Sequence, residues 1–338
     1  MLKIRKTFLV TGVAGFIGSE IAKRILINGD DVVGIDNLNN YYDKNLKLAR
    51  LAEVEKCKSQ HQSNFFFHKV PIENNYGLEE ISKTYSVQVV VHLAAQAGVR
   101  YSITNPKEYV DSNLVGFFNI LEFCRKNSVE NFLFASSSSV YGGNINFPFY
   151  ESDKVDNPMS FYAATKKSNE LMAYSYSNLY QIPTTGLRFF TVYGPWGRPD
   201  MAPMLFANAI FKKESIKVFN NGNMKRDFTF IDDITEGVFR CCQKPATAEK
   251  VSDSNSNSVP YQIFNIGSGR SIDLMDFIKY LEDAIGIKAK KEYLSLQPGD
   301  VLETCASVSK LKDWVDYSPT TSIEDGINSF VKWFKEYY

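Results

Sequence analysis

Three groups of residues in this chain have types and spacings that could together oxidise an alcohol. Tyr162 and Lys166 are four residues apart, so on a helix their side chains project from one face. A neighbouring ammonium lowers the pKa of a tyrosine, and the resulting phenolate can take the proton of an alcohol. The serine block Ser136–Ser139 precedes this pair and supplies a hydroxyl that could hydrogen-bond the same alcohol. The carbinol hydride could then move to a nicotinamide.

The hydride acceptor is predicted by a glycine-rich turn near the start of the chain. Gly12 permits a tight turn, Gly15 lets the backbone approach a pyrophosphate, and Gly18 lets a helix pack close to the preceding strand. Asp36 ends the next predicted strand, where a carboxylate would bind the adenosine ribose hydroxyls. No arginine follows Asp36 directly, and its charge would repel a 2′-phosphate. The spacing therefore favours NAD over NADP.

The elements that must position these residues alternate between strand and helix patterns. Such alternation, with strands rich in Val, Ile and Phe, predicts an α/β fold with a Rossmann-type doubly wound parallel sheet. The serine block follows one of these strands, at the carboxyl edge where ligands of open α/β sheets bind. The predicted strands cover 7–10, 31–36, 87–92 and 131–135, and the main helices cover Asn113–Arg125 and Phe161–Tyr180.

The pattern changes after about Arg188, where prolines and irregular polar turns become common. We expect an NAD-binding domain over 1–187 and, over 188–338, mainly a smaller α/β domain that binds substrate. The segment Tyr261–Ile266 again resembles a buried strand, so 230–266 is predicted to return to the main sheet. The polar stretch Asn39–Ser63 is predicted to be a helical insertion, and Val251–Val259 a surface loop.

Composition limits the classes of function. The 338 residues carry a formal net charge of zero, so no global field favours nucleic acid or an anionic membrane surface. No apolar stretch is long enough to span a bilayer, and the first strand starts too early for a signal peptide. The five cysteines are odd in number and lack metal-ligand spacing. We expect a cytoplasmic protein with reduced thiols and without a metal site.

Several motifs give the chain a family resemblance. Thr11–Gly18, His92–Gly98, Ser136–Gly142 and Tyr162–Lys166 resemble the extended short-chain dehydrogenase/reductase family, and within it the NAD-dependent UDP-sugar epimerases. The similarity runs almost the whole length and implies a UDP-sugar substrate and a homodimer built on the two main helices. Further matching segments are Asn37–Asp43, Gln96–Ser102, Arg188–Met201, Met224–Asp233 and Gln297–Asp300.

The resemblance also implies roles for individual residues. It makes Tyr162 the base, Lys166 its partner on the nicotinamide ribose, and Ser137 the hydroxyl that binds the reacting alcohol. The implied cofactor site comprises Gly12, Gly15, Phe16, Ile17, Gly18, Asp36, Asn37, Leu93, Ala94, Ala95, Asn113, Tyr162 and Lys166. The implied nucleotide contacts are Arg226 on the diphosphate, Phe219 against uracil, Asp300 on the ribose, and Arg198 as a second phosphate or uridine contact.

The resemblance narrows the reaction as well. Family dehydratases carry an Asp-Glu pair two residues and one residue before Val-Tyr-Gly, where this chain has Ser138 and Ser139, and the decarboxylases keep a glutamate at the second position. No acid is therefore available there for elimination or for assisting loss of carbon dioxide, which favours epimerisation at carbon 4. Galactose-type epimerases place asparagine at Thr191. Ser137, Ser138, Ser139 and Thr191 could together hold a sugar carboxylate without a cation.

The expected reaction is interconversion of UDP-glucuronate and UDP-galacturonate through a 4-keto intermediate. Epimerisation of neutral UDP-hexoses or UDP-N-acetylhexosamines is the alternative, and a non-catalytic NAD-sensing protein would be expected to lack Tyr162 or Lys166. Two positions depart from the family. Pro71 stands where an aspartate often approaches adenine, and Gln297 replaces an arginine of the galactose-type epimerases.

Overall fold

A seven-stranded parallel sheet forms the centre of the computed structural model, which describes residues 4–248, 258–297 and 299–338. Residues 251–257 of the predicted surface loop lie outside the described residues. The strands are β1 Thr7–Thr11, β2 Asp31–Ile35, β3 Phe65–His68, β4 Val89–His92, β5 Asn131–Ser137, β6 Thr184–Phe189, β7 Thr191–Tyr193, β8 Ser215–Phe219, β9 Lys225–Phe230, β10 Tyr261–Ile266, β11 Ser271–Asp273 and β12 Lys290–Leu294.

The order of strands in the main sheet is β10-β6-β5-β4-β1-β2-β3, and every neighbouring pair is parallel. Parallel strands need crossover connections, which helices provide on both faces. The predicted Rossmann-type α/β fold is therefore confirmed. The strand Tyr261–Ile266 forms one edge of this sheet, beside Thr184–Phe189.

Helices cover the sheet and extend beyond it. Among them, α2 occupies the predicted polar insertion, and α7 has the predicted bounds. The helices are α1 Phe16–Ile27, α2 Lys44–Gln60, α3 Asn75–Thr84, α4 Tyr101–Thr104, α5 Pro106–Tyr109, α6 Phe117–Lys126, α7 Phe161–Tyr180, α8 Ala202–Phe211, α9 Ile231–Gln243, α10 Leu274–Ile285, α11 Ser309–Val315 and α12 Ile323–Tyr337.

The predicted single helix over Asn113–Arg125 is wrong at its start. Residues Val110–Gly116 form a π-helical segment, and the α-helix begins only at Phe117. A wider π turn changes which side chains share a face, and such turns often occur at functional sites. Here it buries Asn113 against the loop that follows β4.

Alternation along the strands builds a core on each side of the main sheet. Phe8 and Val10 pack into one cluster and Leu9 into the other, because successive side chains point to opposite faces. Two small sheets complete the molecule: β11-β9-β7, and β12 paired with β8. In the described part of the chain, no helix is long and apolar enough to cross a membrane.

Candidate functional site

One cavity of about 1340 Å³ opens at the carboxyl edge of the main sheet and extends towards the two small sheets. It lies beside β1, from which β2 and β3 follow towards one edge of the sheet, while β4, β5 and β6 follow towards the other. Such a reversal of strand order is the usual ligand-binding position in open α/β sheets. Its volume exceeds the range of a pocket for one drug-sized ligand. The lining includes the glycine-rich turn, the serine block and Arg226, so the cavity can hold a cofactor and a substrate together.

The glycine-rich turn forms the first part of the cavity. Gly12 has φ +70, a conformation that glycine adopts without strain. A side chain on Gly18 would collide with the carbonyl oxygen of Gly12, so this helix can approach the turn only with glycine there. No described side chain caps the first turn of α1, and its N–H groups and partial positive charge suit a phosphate.

Asp36 lies at the end of β2 and lines the same cavity. Its carboxylate accepts hydrogen bonds from Ala14 N at 3.2 Å and Leu38 N at 2.8 Å, which fixes its orientation. Burial raises the pKa of Asp36, while these hydrogen bonds and the Lys47 charge oppose the shift. A carboxylate fixed in this way can accept hydrogen bonds from ribose hydroxyls.

Pro71, which stands where family members often carry an aspartate, lies on an apolar part of the cavity wall. Val70, Pro71 and Ile72 line the cavity together and offer an apolar wall to a flat ring. Pro71 has no N–H donor and no side-chain acceptor, so this wall can offer a ring apolar contact only at this position. The other predicted cofactor residues that line the cavity are Gly15, Phe16, Ile17, Asn37, Leu93, Ala94 and Ala95.

Tyr162 and Lys166 lie in the first turns of α7. Ser160 caps this helix by accepting a hydrogen bond from Ala163 N at 3.1 Å. Lys166 Nζ donates to Ala135 O at 2.8 Å and lies 6.0 Å from the centre of the Tyr162 ring. The Ser137 hydroxyl is close enough to Tyr162 to lower the pKa of its phenol, so α7 and the end of β5 together present the predicted catalytic groups.

The pKa shifts of this pair follow from burial and charge. Burial raises the pKa of Tyr162, whereas the Ser137 hydrogen bond and the Arg198 charge lower it. Burial lowers the pKa of Lys166 to about 8. Burial therefore favours the uncharged forms of both groups, the Tyr162 phenol and the Lys166 amine, and a further positive charge beside Tyr162 would favour its phenolate.

Asn113, predicted beside the nicotinamide, is fully engaged by protein groups. Its Oδ1 accepts from Gln96 N at 2.8 Å, and its Nδ2 donates to Gln96 O at 3.0 Å and Thr165 Oγ1 at 3.1 Å. Asn169 Nδ2 donates to the main-chain oxygen of Asn113 at 2.6 Å. These contacts favour a supporting role, in which Asn113 joins the loop after β4 to α7.

Neutral hydroxyls surround the sugar end of the cavity. Ser138 begins a 3₁₀ turn over Ser138–Tyr141, and Ser137 Oγ accepts a hydrogen bond from Ser139 N at 3.2 Å. Thr191 starts β7 and is partly exposed to the same cavity. Two segments far apart in sequence thus bring Thr191 and the serine block to one cavity.

Arg198 pairs with Asp200 through Nε–Oδ1 at 3.1 Å and Nη2–Oδ2 at 2.5 Å, and Tyr41 Oη donates to Asp200 at 3.0 Å. The charge of Arg198 acts on Tyr162. This arrangement favours a position at the sugar end over the predicted phosphate or uridine contact. Burial works against ionisation of Asp200, but Arg198 and the Tyr41 hydrogen bond hold its pKa below the usual value.

Phe219, Arg226 and Asp300 line the opposite end of the cavity. Arg226 donates to the carbonyl oxygens of Lys225 at 2.8 Å, Val301 at 2.6 Å and Leu302 at 3.1 Å. These bonds fix a guanidinium at the cavity wall, where its planar fork suits a diphosphate.

Arg100 is a cavity residue that the sequence did not assign. It pairs with Asp300 at 2.7 Å and lies 4.5 Å from the centre of the Phe219 ring. Arg100 lies in the segment Gln96–Ser102, which matches the family. Its partner Asp300 is 200 positions away, so no local pattern connects the two. Lys47, beside Asp36, was also missed because it lies in the polar insertion.

Comparisons with known proteins agree with this geometry. A family model described as GDP-mannose 4,6 dehydratase matches residues 9–330. Protein CapI of Staphylococcus aureus is 52% identical over 98% of both chains, and a UDP-glucuronate 4-epimerase of Thermodesulfobacterium geofontis is 44% identical over 97% of this chain and 96% of that one. The crystal structure of UDP-glucuronic acid 4-epimerase from Bacillus cereus, in complex with UDP-glucuronic acid and NAD, superposes with a TM-score of 0.86 at 32% identity, covering 98% of this chain and 100% of that one.

Proposed function

This chain belongs to the GDP-mannose 4,6-dehydratase family of extended short-chain dehydrogenases/reductases, and from that premise we propose that it is an NAD-dependent epimerase interconverting UDP-glucuronate and UDP-galacturonate. The observation that carries the proposal is the set of neutral hydroxyls around Tyr162, at the positions where the dehydratases of the family carry acids. Relatives named for the same reaction match over nearly the whole chain.

The residues of the cavity fit NAD. The glycine-rich turn and the start of α1 would hold its pyrophosphate, Asp36 the adenosine ribose, and Lys166 the nicotinamide ribose. NAD held by these residues would supply the reversible hydride acceptor that oxidation and re-reduction at carbon 4 of the sugar require. No net oxidation results, so the cofactor need not leave between turnovers.

Tyr162 and Ser137 perform the proton chemistry. Tyr162 takes the proton of the 4-hydroxyl while Ser137 hydrogen-bonds the same oxygen. Together with loss of the carbon 4 hydride to the nicotinamide, this proton transfer would give a 4-keto sugar. Arg226 holds the diphosphate while the sugar turns about its link to it and presents the other face. Tyr162 then returns the proton, and carbon 4 is inverted.

Dehydration is disfavoured because, among the described residues near Tyr162, no acid is free to protonate a leaving hydroxyl. Ser138 and Ser139 are neutral, and Asp200, the acid described near Tyr162, is ionised and paired with Arg198. A carboxylate held in that pair can neither donate a proton to a leaving hydroxyl nor readily remove one from carbon 5. Epimerisation requires neither step.

The acidic substrate requires protection, since a 4-keto glucuronate is a β-keto acid. Loss of carbon dioxide is fastest when the bond to the carboxylate aligns with the carbonyl π system. We propose that hydroxyl contacts from Ser138, Ser139 and Thr191 hold the carboxylate out of that alignment until reduction. These neutral hydroxyl donors would restrain the carboxylate without adding a positive charge beside it.

Proton NMR of the purified protein incubated with UDP-glucuronate, without added NAD, tests the function. We expect signals of UDP-galacturonate and none of a UDP-pentose. Conversion of UDP-glucose or UDP-N-acetylglucosamine, with UDP-glucuronate unchanged, would instead assign the enzyme to neutral sugars.

Substituting Thr191 by valine, alone and with Ser138→Ala, tests the restraint on the carboxylate. Valine keeps the shape of threonine and removes its hydroxyl, so β7 should keep its backbone pairing. We expect UDP-pentose to appear beside UDP-galacturonate, and more of it in the double variant. The same substitution at Thr84, on the remote α3, serves as control. Full activity of the double variant without pentose would refute the role of these hydroxyls.

The division of the chain and its assembly complete the proposal. We propose that 1–187, with 230–266, binds NAD and that 188–338 mainly binds the UDP-sugar; the edge strand β10 supports this division.

Exposed apolar side chains on neighbouring helices support a homodimer, which sedimentation velocity tests; they are Val115, Phe118, Leu171 and Tyr174. The five free cysteines are consistent with a cytoplasmic location.

A further inference from the structure

Arg50 is a buried cation on α2 that the proposed chemistry does not use. Its side chain is 1% exposed, and in the described ranges no carboxylate forms an ion pair with it. All its bonds go to uncharged oxygens. Nε and Nη2 donate to Trp196 O at 3.1 and 2.6 Å, Nη2 to Gly197 O at 3.1 Å, and Nη1 to Ala14 O at 3.2 Å and Tyr42 Oη at 2.7 Å.

These five bonds match the five N–H groups of a guanidinium. A buried charge that forms no direct ion pair is costly and persists only where its hydrogen bonds are satisfied. The position therefore requires an arginine, because a lysine has three donors on one nitrogen and cannot reach such widely spaced oxygens. Arg50 fits a role in holding backbone segments in place.

One of these segments is the turn that carries Arg198. Trp196 has φ +63, a conformation that a bulky residue rarely adopts. Its ring packs against Trp333 and Tyr337, with centroids 5.3 and 5.0 Å apart. Arg50 binds the carbonyl oxygen of this strained residue twice. Such strain persists only where surrounding contacts enforce it, and it is concentrated at functional sites.

The other segment is the glycine-rich turn. Ala14 lies between Gly12 and Gly15; its carbonyl oxygen binds Arg50, and its N–H binds the Asp36 carboxylate. A single residue of the proposed NAD site is thus fixed on one side by the ribose-binding acid and on the other by Arg50. The same guanidinium reaches the turn before Arg198.

We propose that Arg50 is a positioning residue that fastens the Trp196–Arg198 turn to the glycine-rich turn and so holds Arg198 at the sugar end of the cavity. The inference rests on the proposed function where it places a sugar beside Tyr162. Through the Arg50 hydrogen bonds, α2 connects the cofactor and sugar sites outside the main sheet. Loss of the Arg50 hydrogen bonds should slow the chemical steps at the sugar and leave nucleotide binding at Phe219 and Arg226 unchanged.

The test uses NAD-bound Arg50→Met and Arg50→Lys, the second as a charge-retaining variant in case the first folds poorly. We expect amide exchange in residues 195–200 to become about tenfold faster or more, and turnover of UDP-glucuronate to fall about 100-fold in Arg50→Met, because small misplacements near the reacting groups are costly. The dissociation constant of UDP, measured by calorimetry, should change little. Arg50→Lys should show the same pattern to a smaller degree.

Arg24→Met is the matched control. Arg24 also bridges two elements, from α1 to Glu236 on α9 at 2.8 Å, so its loss should lower thermal stability without faster exchange in 195–200. The proposal is overturned if both Arg50 variants keep slow exchange in this segment, if UDP affinity falls in parallel with turnover, or if Arg24→Met produces the same pattern. If wild-type protein does not convert UDP-glucuronate, exchange and UDP binding still decide the role of Arg50.

Discussion

Tyr162→Phe is expected to lower turnover about 10³-fold while NAD remains bound. Phenylalanine keeps the ring that meets Tyr109 edge to face, with centroids 6.1 Å apart, and removes only the oxygen that contacts Ser137. Ser137 cannot replace the lost base, because its own aliphatic hydroxyl is hard to ionise near neutral pH. Lys166, bound to Ala135 O, keeps its place for the cofactor.

The measurement pairs NMR of product formation with the NAD content of the purified variant. Tyr176→Phe on the same helix is the matched control, since it removes a hydroxyl that binds Glu122 away from the cavity. We expect near-normal turnover in that control and full NAD occupancy in both variants. Activity of Tyr162→Phe within tenfold of wild type would exclude Tyr162 as the base.

Local patterns predicted the features that depend on neighbours in sequence. Gly12 and Gly18 lie six residues apart and form one turn, and Tyr162 and Lys166 share one helical face. The parallel sheet followed from strands that alternate with helices, because such strands need crossover connections. The cofactor turn and the fold class were therefore accessible from sequence.

Contacts across the chain were not accessible in this way. Arg100 meets Asp300, and Arg50 meets Trp196, through pairs that no periodicity connects. Arg50 also lies in a stretch that is polar in sequence, and its burial depends on packing of α2 against α1 and against the turn at Trp196. The π-helical segment that turns Asn113 inward likewise lacks a local signature that separates it from an ordinary helix.

A buried ion pair beneath the serine block is a second feature invisible in sequence. Arg188 on β6 donates Nε and Nη2 to the Glu170 carboxylate of α7 at 2.8 and 2.9 Å. Ser136 Oγ donates to Glu170 at 2.7 Å, and Arg188 Nη1 donates to Tyr141 Oη at 3.0 Å. The pair thus joins the helix that carries Tyr162 to the strand end that carries the serines.

Arg188→Met is expected to lower the free energy of unfolding by about 3–5 kcal/mol, because it removes the two close charged hydrogen bonds of the buried Glu170 carboxylate and leaves it Ser136 and the more distant Lys167, at 3.8 Å. Urea denaturation measures this change. The double variant Arg188→Met/Glu170→Met should recover part of the loss, since it removes both buried charges.

Turnover should not recover with stability in the double variant. Ser136 loses its acceptor together with Glu170, so the adjacent Ser137 is no longer held against Tyr162, and we expect turnover about 100-fold below wild type. Arg125→Met, which removes an exposed ion pair with Glu122, is the matched control and should change stability by less than about 1 kcal/mol. A double variant that regains stability and wild-type turnover together would show that the pair supports the fold alone. Regained stability without turnover would show that it also positions the serine.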